Sequence, residues 1–165
     1  MRGLATVNNL EPNCIQSETH ACLGFRPQET LSPILASELS MAKSVLIVDD
    51  TEAIRRGLRE LFASEVDFEV CGEAENGRDA IEKAQELHPD LIVLDLSMPV
   101  MNGIDAARVL RKLMPALKVI IFSEYSDVFS EEEAHSAGVS ALVSKSEHVS
   151  VLVAKARALL YPVAA

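Results

Sequence analysis

Tryptophan is absent from this chain, and aromatic residues of any kind make up only 4% of it. A core must therefore be built from aliphatic side chains, and the 48% hydrophobic content is enough to build one. Cysteine is also scarce. Cys14, Cys22 and Cys71 form an odd, scattered set, which gives no disulfide framework and no CxxC pair for zinc. Cys14, His20 and Cys22 lie close in sequence, but a fourth ligand and the usual zinc spacing are missing. Cys71 ends an apolar run and reads as a small buried hydrophobe. No apolar run approaches the length of a membrane span. The N-terminus has no basic region leading into a continuous apolar stretch, so a signal peptide is not expected and a cytoplasmic protein is. Positive charge is the other shortage: 15 Lys and Arg stand against 25 Asp and Glu, a formal net charge of −10. Direct nucleic-acid binding is not expected of such a chain, since it requires a basic face to displace counterions. An acidic chain suits the holding of a cation.

At 165 residues the chain has room for one ordinary domain. Residues 1–40 differ from the rest. NNLEPNCIQSETH and RPQETLSP are rich in Asn, Ser, Thr, Pro and Gln without sustained periodicity, and they read as a disordered N-terminal extension. Met41 stands immediately before the first convincing strand and would make a sensible start for a compact domain over residues 41–165.

From Met41 onward the pattern alternates. SVLIVD predicts a strand and TEAIRRGLRELFAS a helix with Ile54, Leu58 and Leu61 on its inward face. FEVCGEA predicts a second strand, and NGRDAIEKAQELH a helix with Ala80, Ile81, Ala84 and Leu87 inward. HPD ends that helix before the strand LIVLDL. GIDAARVLRKLM, KVIIFS, SEEEAHSAG, ALVSK and HVSVLVAKARALLY continue the alternation of helix and strand. Five strands with intervening helices require parallel pairing and right-handed crossovers. The expected fold is a doubly wound α/β sandwich with functional residues at the carboxyl ends of its strands.

VLIVDD runs four aliphatic residues straight into two carboxylates, Asp49 and Asp50. The third strand delivers Asp95, the fourth Ser123 and the fifth Lys145, all to the same predicted edge. Taken singly, each has an ordinary explanation: Asp50 or Ser123 could cap a helix, and Lys145 could be a solvated charge. Their arrival together at one edge calls for a common one. Close carboxylates repel unless neutralised, and hard oxygen donors in an open site suit Mg²⁺, which takes one or two protein carboxylates and keeps several waters. With that cation present, one carboxylate can act as a nucleophile towards phosphorus while the Lys145 ammonium balances the phosphoryl charge.

VLIVDD, VLDLSMPVMNG, VIIFS and LVSKS together resemble the receiver domain of two-component response regulators, in order and spacing, over roughly residues 43–161. DLSMP and the KS after the fifth strand are most similar to the NarL/FixJ type. The resemblance implies a flavodoxin-like five-stranded sheet of order 2-1-3-4-5. It implies Asp95 as phosphoacceptor, Asp50 as a direct Mg²⁺ ligand, Asp49 as its partner through water, and the Ser97 main-chain carbonyl as a further ligand. Lys145 would pair with the acceptor or its phosphoryl group, Ser123 would be the switch hydroxyl, and Pro99 and Gly103 match the loop after the acceptor. The implied partners are a histidine kinase or histidine phosphotransfer protein and a downstream protein, with the chain a monomer or weak dimer. It would be an enzyme only towards its own phosphorylation and dephosphorylation.

Two positions depart from the family pattern. Leu142 stands where a switch aromatic is usual, and Ser146 follows the lysine where a cis-proline is common. The chain also stops at Ala165 without a helix-turn-helix, so a stand-alone receiver acting by protein contact is expected. Two other functions on related chemistry fit less well. A haloacid dehalogenase-like phosphotransferase needs a second acid where Ser97 stands, and a flavin module needs a Gly- and hydroxyl-rich cradle where DDTEAIR stands. A receiver-like module that works without phosphorylation would not need all five site residues.

Overall fold

A computed structural model of the protein describes residues 42–124 and 131–162. The expected extension over residues 1–40, with Cys14, His20 and Cys22, lies outside them. Five strands, β1 (Lys43–Val48), β2 (Phe68–Ala74), β3 (Leu91–Leu94), β4 (Lys118–Ser123) and β5 (Ala141–Ser144), form one parallel sheet of order β2-β1-β3-β4-β5. Helices α1 (Glu52–Ala63), α2 (Gly77–Leu87), α3 (Gly103–Leu113), α4 (Glu131–Ser136) and α5 (Val149–Leu160) supply the crossovers. This is the expected flavodoxin-like fold.

Alternate side chains of the central strands serve opposite faces, and both faces are covered. Leu46, Val48, Ile92, Leu94, Val119 and Ile121 pack with apolar residues of α2, α3 and α4. Val45, Ile47, Leu91, Val93, Ile120 and Phe122 pack with α1 and α5 on the other face. That two-sided burial is why these strands are aliphatic throughout rather than alternating. Full burial of each such side chain stabilises the fold by about 2 kcal/mol before conformational entropy is charged against it.

Local signals set the helix ends. Asn76 and Asn102 cap α2 and α3, their side chains accepting hydrogen bonds from the Asp79 and Asp105 amides. His88, at φ 48°, closes α2 in the left-handed conformation just before Pro89. Three expectations are modified by the structure. Ile54, Leu58 and Leu61 do pack on one core cluster, but the most deeply buried residues of α1 are Arg55, Leu58 and Phe62. Leu87, at the end of α2, is 38% exposed, although its Cδ1 reaches over Gly72 of β2. Cys71 is half-buried on a strand that borders the sheet, and its thiol donates to the Val45 carbonyl at 3.4 Å. Among the described residues no helix is long and apolar enough to cross a membrane.

Candidate functional site

The carboxyl edge of the sheet gathers the expected residues because parallel strands all end there. Asp49 follows β1 directly, and its amide donates to the Ala74 carbonyl at 3.1 Å, so the ladder continues one residue beyond the strand. Asp95 follows β3 in the same way, donating to Val48 O at 2.9 Å. Both side chains are buried: residue exposure is 1% for Asp49 and 4% for Asp95. Burying two carboxylates side by side is untenable without a counter-charge. Lys145 supplies it. Its Nζ lies 2.6 Å from Asp49 Oδ2 and 3.0 Å from Asp95 Oδ1.

The remaining carboxylate oxygens are satisfied by main chain. Thr51 N–H donates to Asp49 Oδ1 at 2.9 Å, and Ser97 N–H donates to Asp95 Oδ2 at 3.0 Å. Desolvation works to lower the Lys145 pKa, but its hydrogen bonds to Asp49 and Asp95 outweigh burial and raise it above the ordinary lysine value. Lys145 is held in turn through its own amide, which donates to the Ser123 carbonyl at 3.0 Å. Ser123 closes β4 and is buried, so β4 and β5 deliver hydroxyl and ammonium side by side.

Asp50 sits apart from this bridge. It is exposed, and Thr51 Oγ1 donates to its Oδ1 at 3.2 Å. The alternative of Asp50 as a helix cap is not realised: Thr51 occupies the N-cap position of α1 and its side chain makes no cap bond. Asp50, Asp95, Ser97, Ser123 and Lys145 line one open cleft of about 310 Å³, together with Thr51, Ile54 and Glu124. Asp49 lies beneath it.

Among the described residues no three His, Cys, Asp or Glu side chains converge on a single point. Asp49 and Asp95 are drawn to Lys145 instead. The donors nevertheless fit Mg²⁺, which binds through one or two carboxylates and completes its octahedron with water. Asp50 and Asp95 present hard anionic oxygens to the same cleft as Ser97, and Asp49 lies close behind.

The loop after Asp95 is tightly constrained. Gly103 N–H donates to Leu96 O at 3.0 Å, and a Cβ at Gly103 would overlap the Asp95 carbonyl oxygen. Met101 N–H closes a three-residue turn on Pro99 O at 2.7 Å, which leaves Val100 at φ 70°. Sequence reasoning missed that strain, and it missed Arg55. The signal for Arg55 was present as a cation at helical spacing from Leu58 and Phe62, inside an apolar stripe. Leu142, in place of the usual aromatic, is partly buried and packs against the core on the α2, α3 and α4 side.

Residues 45–157 match the response regulator receiver domain. The chain belongs to that family. Membership accords with a phosphoacceptor role in two-component signalling and disfavours the dehalogenase-like and flavin alternatives. The chemotaxis protein CheY of Thermotoga maritima is 42% identical over 105 residues, covering 64% of this chain and 87% of CheY. The response regulator protein VraR of Staphylococcus saprophyticus is 38% identical over 110 residues, covering 67% of this chain and 53% of VraR. The chain thus spans about half the length of that relative. Among solved structures, the response regulator TrrA of T. maritima in complex with Mg²⁺ and BeF superposes with a TM-score of 0.65 at 32% identity. That match covers 71% of this chain and 98% of TrrA. These relatives agree on the receiver domain while differing in kind, so membership stands at the level of the receiver.

Proposed function

We propose that Asp95 accepts a phosphoryl group from the phosphohistidine of a histidine kinase or histidine phosphotransfer protein, and that the change re-shapes a surface read by a downstream protein. One observation carries the assignment: Lys145 joins Asp49 and Asp95 at the floor of a cleft that Asp50, Ser97 and Ser123 also reach. An Asp95 carboxylate oxygen attacks phosphorus, and the P–N bond to the donor imidazole breaks with its electron pair left on nitrogen. The product is an acyl phosphate on Asp95. Asp50, Asp95 and the Ser97 carbonyl would hold Mg²⁺, with Asp49 acting through a water. Bound there, the cation would supply charge neutralisation for the phosphoryl oxygens.

Lys145 already pairs with Asp95 Oδ1 and is placed to follow the negative charge onto the phosphoryl group. Ser123, which lines the same cleft, would donate a hydrogen bond to that group in this reading and so couple the chemistry to the end of β4. The chain catalyses only its own phosphorylation and dephosphorylation in this reading, as a monomer or weak dimer, with residues 41–165 as the receiver unit.

The test is incubation with Mg²⁺ and acetyl phosphate, followed by intact and peptide mass spectrometry. The expected result is one phosphoryl group on Asp95 in the native chain and none in Asp95→Asn, because an amide is no comparable nucleophile. Stoichiometric uptake by Asp95→Asn would overturn the assignment.

A further inference from the structure

Arg55 is the one buried cation on the inward face of α1, and its residue exposure is 7%. Its guanidinium is used on every side. Nη1 donates to the Asp49 main-chain carbonyl at 2.8 Å, Nη2 to Glu75 Oε1 at 3.0 Å, and Nε to Glu73 Oε2 at 3.3 Å. Glu73 is itself held by Arg59, whose Nη1 donates to Oε1 at 2.6 Å. The planar fork of arginine can serve three acceptors in different directions, which the point charge of lysine cannot.

Two consequences follow from that arrangement. Glu73 and Glu75 offset the Arg55 charge, so Arg55 adds little positive potential to a cleft that has to attract a cation. What it retains is direction. The carbonyl it grips belongs to the rigid Asp49–Asp50 peptide, so fixing that oxygen fixes the plane from which Asp50 departs. Thr51 N–H, turned back onto Asp49 Oδ1, completes the turn, and α1 begins from the Thr51 carbonyl. The C-terminal end of β2 is thereby linked through Arg55 to Asp49, and through Lys145 to Asp95.

We propose that Arg55 is a positioning residue of the acidic cleft, holding the Asp49–Asp50 peptide so that Asp50 faces Asp95 across the cation seat. This deepens the proposed function and rests on it for the role of Mg²⁺. The hold on the carbonyl itself does not depend on any metal. A purely structural ion pair between α1 and β2 would support the fold without setting the geometry at Asp50.

The experiment compares the full native chain with Arg55→Lys and Arg55→Gln. Three quantities are read: the ¹³C resonance of the Asp49 carbonyl without metal, the Mg²⁺ dissociation constant by calorimetry, and the resonances of Val93 as an interior reference. In Arg55→Lys the Asp49 carbonyl should move upfield as its hydrogen bond is lost, with Val93 unmoved. Mg²⁺ affinity should fall about tenfold or more, as when a group that orients a metal ligand is removed. Arg55→Gln should show the same direction, and if it fails to fold, Arg55→Lys alone decides. An unmoved Asp49 carbonyl, or Mg²⁺ affinity within about twofold of the native value, would overturn the proposal. So would changes at Asp49 that Val93 shares. Should the native chain bind no Mg²⁺, the functional reading fails, while an isolated shift of the Asp49 carbonyl would still establish the Arg55 hold.

Discussion

Lys145 and Asp49 stand 96 positions apart in the chain, yet their Nζ and Oδ2 atoms lie 2.6 Å from one another. The contact joins the last strand to the first across β3 and β4, and it is what allows two carboxylates to be buried together. Removing the ammonium while keeping the stem, as in Lys145→Met, leaves Asp49 and Asp95 as adjacent buried anions. A loss of about 3 kcal/mol or more in stability at neutral pH is expected. Mg²⁺ should raise the Tm of Lys145→Met by more than that of the native chain, since the cation replaces the missing charge. Thermal melts in Mg²⁺ and in EDTA test both statements; equal Mg²⁺ effects on the two proteins would contradict the second.

Gly103 meets the Asp95 main chain so closely that a methyl group has no room beside it. The obstacle is backbone and cannot rotate away. Gly103→Ala should therefore cost about 1–3 kcal/mol, as overpacking usually does, and should displace Asp95 as well. Chemical denaturation and the rate of phosphoryl uptake from acetyl phosphate should both report it. A variant as stable and as reactive as the native chain would show that the loop accommodates the methyl.

Val100 is a β-branched residue at φ 70° with 79% of its surface exposed. Its side chain contributes little packing, and its backbone is in a region that costs about 1–3 kcal/mol for such residues. Glycine accepts that conformation but gives the unfolded chain more freedom, which takes back about 0.5–1 kcal/mol. Val100→Gly should accordingly stabilise the protein by about 1 kcal/mol net. The urea midpoint is the measurement, and a lower midpoint would contradict the prediction.

Asp90 lies at the opposite end of the sheet from the cleft. Burial tends to raise its pKa, but hydrogen bonds from the Ser44 amide and hydroxyl and from Lys43 prevail and hold it below the ordinary 3.8. A carboxyl depressed in the folded state stabilises the fold above its unfolded pKa, and that contribution disappears as pH falls through the folded value. Asp90→Asn should thus be less stable than the native chain at neutral pH, and the gap should close below pH 3.8. Urea midpoints from neutral to acid pH give the comparison; a gap independent of pH would remove Asp90 from the acid response.

Much of the fold is legible in local sequence. VLIV, LIVL and VIIF are continuous aliphatic runs because both faces of a central parallel strand are covered, and that condition leaves a mark no turn or exposed strand would leave. Asn76 and Asn102 announce helix starts through their own side chains. Asp50, Asp95, Ser123 and Lys145 are visible as site residues for a topological reason: each follows or closes a recognisable strand, and parallel strands end together. The inward face of α1 was less legible. Ile54, Leu58 and Leu61 satisfy a helical period as well as Arg55, Leu58 and Phe62 do, and hydropathy prefers the set without the charge. Only the acceptors on Asp49, Glu73 and Glu75 make the second set the buried one.

By itself, then, the sequence determined the alternation of strands and helices and the convergence of the acidic residues, because these follow from periodicity and chain direction over short spans; the strand order came from the family resemblance and the structure. The tertiary structure alone decided that Lys145 bridges Asp49 and Asp95 while Asp50 stays in solvent. It also decided that Arg55 is buried and that Val100 is strained. Each of these depends on groups brought together from distant strands, where a charge is tolerated only if its partners arrive at the right distance and angle. No local pattern records that geometry.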